Sequence, residues 1–141
     1  MILDITHTNR EHKEIIKDLV GRHFSFIKAL KLRGIASKKM KIYDVSPNFK
    51  NYINHNNDSS FVYIELRPFG IIIKTDNGIK NFVWIISYHQ LVIYKTNGIS
   101  IHAQGRFIRF GNKVEEENKA FFDKLLDQRV KYKLQHNFSS D

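Results

Sequence analysis

The chain has 141 residues, 42 % of them apolar, no cysteine and a formal charge of +9. That length suits one domain burying roughly 70 % of its unfolded surface, and the missing thiols exclude both a disulfide framework and a thiolate zinc site. Charged residues from Asp4 to Asp18 replace the apolar run of a secretory signal, and no apolar stretch approaches the roughly 20 residues of a membrane-spanning helix. The expectation is a single domain over 1–141, cytoplasmic or peripheral to a membrane.

Thr8 and Glu11 have capping-box spacing and predict a helix over 9–32. Its apolar stripe is Ile16, Leu19, Val20, Phe24, Ile27 and Leu30, and Gly34 marks its stop. Gly21 weakens the interior of that helix by about 1 kcal/mol relative to alanine. A strand follows over 38–45, where Met40 and Ile42 alternate with Lys39, Lys41 and Tyr43. Ser46-Pro47 reads as a cap followed by a short helical turn, and the polar run from Asn54 to Ser60 as a loop.

From there the period becomes two. Strands are predicted over Phe61–Arg67, Phe69–Thr75, Lys80–Ser87, Leu91–Lys95, Ile99–Ala103 and Arg106–Phe110. Asp76-Asn77-Gly78 and Thr96-Asn97-Gly98 supply the tight turns, because Asn and Gly tolerate positive φ. Phe107 breaks parity with Ile108 and should point outward. Asn112 and Glu115 repeat the capping spacing and open a helix over 113–134, with Phe121, Phe122, Leu125, Leu126, Val130 and Leu134 facing inward. The β region thus spans 38–110, with about seven strands.

The positive charge is unevenly placed. Residues 22–41 hold Arg22, Lys28, Lys31, Arg33, Lys38, Lys39 and Lys41 with no acid, whereas 113–141 hold six basic and six acidic side chains. The first stretch is a candidate electrostatic footprint for an anionic partner, and Arg106 and Arg109 extend it into the strands. Phospholipid headgroups, an acidic protein and nucleic acid all carry the complementary charge. Tyr63, Tyr88, Tyr94 and Phe107 are the rings that could stack bases, although no complete RNP-like segment accompanies them.

Catalytic chemistry is thin. The seven histidines fall into no HExxH or related spacing, the serines lack a nucleophile elbow, and the glycines form neither GxGxxG nor a P-loop. No catalytic residue, metal ligand or cofactor is assigned. One alternative remains: a helix packed into a curved sheet would place Tyr88, His89 and His102 in a central pocket, giving a small-molecule-binding or enzymatic α+β domain.

The order of elements, with its run from Phe82 to Phe110 followed by an amphipathic helix, resembles the pleckstrin-homology-like fold, in particular its small bacterial versions. The resemblance covers roughly 38–135. It implies an α+β fold in which an antiparallel barrel or sandwich of about seven strands is closed by the C-terminal helix, with the N-terminal helix as an addition. It also implies a non-catalytic binding or scaffold module for a protein or an anionic membrane surface; self-association through an open strand edge is a further mode, and the basic surface by itself leaves nucleic acid as a lesser alternative. In that family basic residues flank the loop after the first strand. Here the loop from Ser46 to Ser60 holds only Lys50, while Lys38, Lys39 and Lys41 precede it.

Overall fold

The computed structural model describes residues 1–5, 10–50, 52, 61–75, 81–96 and 98–136. Strands β1 (Ile2–Asp4), β2 (Met40–Val45), β3 (Phe61–Arg67), β4 (Gly70–Thr75), β5 (Phe82–Ser87), β6 (Val92–Tyr94), β7 (Ser100–Ala103) and β8 (Arg106–Phe110) form one antiparallel sheet in the order β1-β5-β4-β3-β2-β8-β7-β6. Helices α1 (Arg10–Val20), α2 (Phe26–Lys31), α3 (Asn112–Glu117) and α4 (Lys119–His136), with 3₁₀ turns over Pro47–Phe49 and Tyr88–Gln90, complete the described elements. The fold is therefore α+β and sandwich-like.

The sheet turns at β2. Met40 and Lys41 pair with β3, whereas Ile42, Asp44 and Val45 pair with β8, and the register slips between Ile42 and Asp44. Such a bulge bends its strand and sharpens the local twist, so the two halves of the sheet face one another. Between them lies one core that includes Met40, Ile42, Ile64, Leu66, Ile71, Ile73, Trp84, Ile86, Ile101, Ile108 and Phe110. Phe121, Phe122 and Leu125 of α4 join it.

A second, smaller cluster lies outside the sheet. Ile72, Val83 and Ile85 face away from the main core and are covered by Val20, Ile15 and Ile16 of α1. This explains why β4 and β5 read as unbroken apolar runs: both of their faces are buried.

Several expected elements change. The helix over 9–32 is two helices. Gly21 takes φ +89, a left-handed conformation that ends α1, and its N–H still bonds back to Lys17 O at 2.9 Å. Ile16 and Val20 face the second cluster and Phe24 packs on the main core, but Leu19, Ile27 and Leu30 are exposed. The capping residue Thr8 lies outside the described residues, as do most of the 54–60 loop's neighbours, that loop itself, the Asp76-Asn77-Gly78 turn and Asn97.

The helix over 113–134 is also divided. Gly111 precedes α3 without a side-chain cap, and Asn112 is already helical. Asn118 leaves the helical conformation between α3 and α4, and its carboxamide bonds Lys38 N–H at 3.0 Å and Val114 O at 3.3 Å. Below this hinge the inward face of α4 is Phe121, Phe122, Leu125 and Gln128, while Val130 and Leu134 are exposed and Leu126 is half-buried. Strand β1 was not expected. Its three residues pair with Phe82–Trp84 at the sheet edge, adding an eighth strand. The short helical turn expected after Ser46 is present as a 3₁₀ turn over Pro47–Phe49 with Ser46 at its N-cap position, but the Ser46 hydroxyl does not cap it: it donates to Asn48 Oδ1 and accepts from Phe107 N–H.

Candidate functional site

Helix α2 is held firmly at both ends. Ser25 Oγ accepts from Lys28 N–H at 3.2 Å, which caps its start. At the other end Arg33 and Gly34 take φ 59 and 100, and Gly34 N–H bonds Ala29 O at 3.0 Å, a closing turn that satisfies the last carbonyls. Lys124 of α4 donates from Nζ to Gly34 O at 2.9 Å and to Arg33 O at 3.4 Å. Partial burial, and secondarily the charge of Arg33, lower the pKa of that ammonium. Phe24 before the helix and Ile35 after it pack on the main core.

Residues 35–37 then run along β3. Leu66 N–H bonds Ile35 O at 2.7 Å and Ser37 N–H bonds Ile64 O at 2.8 Å. The linker before α2 is fastened from below by a buried ion cluster on β3. Arg67 Nε donates to Glu65 Oε2 at 2.7 Å, and Arg67 Nη1 to Gly21 O at 3.1 Å. Arg67 Nη2 lies 3.1 Å from His23 Nε2; because a guanidinium only donates, this ring nitrogen is the acceptor. Lys74 Nζ completes the cluster 3.3 Å from Glu65 Oε1. Neither Glu65 nor Arg67 was singled out in the sequence, where they look like ordinary outward residues of an alternating strand.

Between these anchors the apolar side of α2 has no cover. Phe26, Ile27 and Leu30 are 78 %, 67 % and 63 % exposed, an unusual condition for three large apolar side chains on one short helix. Lys28, Lys31 and Arg33 on the same segment are exposed as well. Lys124 links α4 to the Arg33 carbonyl, and Asn118, between α3 and α4, accepts from the Lys38 N–H. Lys38, Lys39 and Lys41, which follow, are exposed too. Lys124 was hidden in a stretch that is neutral in sum.

Arg22 is exposed in the α1–α2 linker. Arg106 and Arg109 are placed elsewhere. Arg106 lies over the Phe49 ring, 5.7 Å from its centroid, and Arg109 pairs in register with Asp44 on one side and Ser100 on the other. Near Arg109 the outer face of β6–β8 carries a row of rings. Tyr94 meets His102 edge-on at 4.8 Å, and His102 stacks on Phe107 at 5.3 Å. Phe107 is thus outward, as its parity predicts. Desolvation first, then Arg109, lowers the His102 pKa.

The expected convergence of Tyr88, His89 and His102 does not occur. Tyr88 is fully buried and donates its hydroxyl proton to Arg67 O at 2.9 Å, which also removes it from the stacking candidates. Burial raises its pKa. His89 is exposed in a 3₁₀ turn and lines a groove with Phe69 and Tyr132, whereas His102 lines a different groove with Gln104 and Phe107. The space in which a central pocket would lie is filled by the core. Among the described residues no cluster of three or more His, Asp or Glu could hold a metal ion, and no helix is long and apolar enough to cross a membrane.

Comparison with protein-family models, with curated proteins and with solved structures finds no match to this chain.

Proposed function

We propose that this chain is a non-catalytic module that docks on an anionic membrane surface through α2 and its flanking basic residues. The observation that carries the reading is the exposure of Phe26, Ile27 and Leu30 on a helix pinned at both ends and bordered by Lys28, Lys31 and Arg33. Apolar side chains can enter the interfacial zone of a bilayer while the cations remain among the headgroups. Each basic residue near such a surface contributes about 1 kcal/mol, and the contribution fades beyond a screening length of about 10 Å at 0.1 M salt. Lys38, Lys39 and Lys41 extend the same field.

A pleckstrin-homology-like assignment is part of this reading. It is supported by the uninterrupted meander from β2 to β5, by the return of β8 to the far side of β2, and by the helix that follows the last strand. In that reading β1, α1 and α2 are additions. The row of Tyr94, His102 and Phe107 beside Arg109 favours single-stranded nucleic acid as a second reading, since exposed rings on a sheet can stack bases.

Co-sedimentation with neutral and anionic vesicles, at low and physiological salt, tests the proposal alongside a nucleic-acid mobility shift. The expected result is salt-sensitive pelleting with anionic vesicles alone, lost in a Phe26→Ser, Ile27→Ser, Leu30→Ser variant and weakened by Lys28→Glu with Lys31→Glu. Absence of pelleting at low salt would overturn it. A mobility shift that Phe107→Ser abolishes would transfer the assignment to the second reading.

A further inference from the structure

A notch opens where β2 changes partners. Only Met40 and Lys41 pair with β3, and pairing with β8 begins at Ile42, which lies opposite Phe110 at the end of β8. Beside Lys39–Lys41 the flank of β2 that would continue toward β8 therefore pairs with no strand among the described residues. The chain instead turns at Gly111 into α3, which runs back along β2 until Asn118 bonds the Lys38 N–H. One end is fixed by the pairing of Ile42 with Phe110 and the other by the Asn118 carboxamide on the Lys38 N–H, and a groove of about 460 Å³ remains between β2 and α3.

The lining has two characters. Ile42, Tyr43, Phe61 and Val114 provide apolar walls, and among the described residues Lys39, Lys41 and Lys113 bring three ammonium groups against one carboxylate, that of Glu117. Lysine stems add apolar surface while their heads stay at the rim. The volume lies within the range of about 300–1,000 Å³ common to small-molecule sites. Among the described lining residues there is no arginine, so the charge acts as ammonium points that donate to a carboxylate or a phosphate alike, without a planar fork selecting between them.

From this the geometry points to a binding site for one small amphipathic anion: an aliphatic or aromatic body that lies against Tyr43, Phe61 and Val114, ending in a carboxylate or phosphate held by Lys41 and Lys113. The site shares Lys39 and Lys41 with the basic field beside α2 but uses none of the apolar residues of α2, and it does not depend on membrane docking. It also explains why Tyr43, 70 % exposed, stands beside lysines on an otherwise polar edge: the ring is one wall of the groove.

The test is titration of the full chain with decanoate, decyl phosphate and decanol below their aggregation thresholds, followed by backbone amide shifts in nuclear magnetic resonance. Saturable shifts centred on Lys41, Phe61, Gly111 and Lys113 are expected for both anions, with at least tenfold weaker binding of decanol. Lys41→Gln with Lys113→Gln should weaken decanoate binding about tenfold or more, and Tyr43→Ser should weaken all three compounds. Phe26→Ser with Ile27→Ser should leave them unchanged, which separates this site from the membrane surface. Vesicles of phosphatidic acid form a further arm: competition between decyl phosphate and those vesicles, persisting in the α2 variant, would make the natural source a bilayer lipid, and its absence a free amphiphile. Equal affinity for decanol and decanoate, shifts centred elsewhere, or unaltered binding in the double lysine variant would overturn the assignment.

Discussion

Arg67 Nη1 donates a 3.1 Å hydrogen bond to the carbonyl oxygen of Gly21, tying the break between α1 and α2 to a strand 46 residues further along the chain. The same guanidinium is neutralised by Glu65 at 2.7 Å, so one buried pair both satisfies its charges and fixes the direction in which the chain leaves α1. This contact, the cap at Ser25 and the clamp from Lys124 hold the linker before α2 and both of its ends. Removing Arg67 would leave Glu65 buried without its closest partner. Arg67→Ala is expected to cost about 3–5 kcal/mol in urea unfolding, and replacing both residues by leucine to cost less, because no buried charge is then orphaned.

The cluster also sets a dependence on acid. Burial pushes the Glu65 carboxyl up, but the Arg67 hydrogen bond together with the charges of Lys74 and Arg67 outweighs it, and the pKa falls below its ordinary value near 4.5. A lowered folded-state pKa means that the unfolded chain binds the proton more tightly. The contribution to stability is therefore fully present above about pH 4.5 and is lost as pH falls through the lowered folded value. Unfolding free energy measured from pH 7 to pH 3 should decline more steeply in the parent chain than in Glu65→Gln, which starts less stable and lacks this group's titration.

Leu125 and Leu126 are neighbours with different environments. Leu125 is wholly buried in the shared core and Leu126 is half-buried. Leu125→Ala is expected to cost about 2–5 kcal/mol by leaving a cavity, and Leu126→Ala about 1 kcal/mol or less; denaturant midpoints with an unchanged m-value would measure both.

Much of the strand layout was legible because turn chemistry and period coincide. Pro68 ends β3 at Arg67, and Gly105 takes φ 74 where β7 turns into β8, so β3 and β8 fall on the residues their patterns predict. The helix breaks were not legible. Gly21 costs a helix only about 1 kcal/mol, which packing can override in either direction, and Asn118 becomes a hinge only because Lys38, 80 residues away, presents it with an N–H. Strand β1 is too short to show a period and exists by pairing with β5.

The site was half legible. The acid-free run from Arg22 to Lys41 located the basic segment, yet a stripe such as Phe24, Ile27 and Leu30 does not say which of its members is covered. Phe24 is packed and the other two are open because the turn at Gly21 redirects the chain. Lys113 joins Lys41 through the bulge at β2, a juxtaposition that no spacing in the sequence encodes.

The central claim, that α2 meets the bilayer with its apolar side, is tested most directly by Phe26→Trp. The chain's one native tryptophan, Trp84, is 2 % exposed and supplies a constant background. On addition of anionic vesicles at low salt the new indole should shift its emission to the blue and become quenched by brominated acyl chains, with reversal at high salt. Emission that stays at its aqueous wavelength while the protein co-sediments would contradict the account, since the chain would then be attached by some other surface.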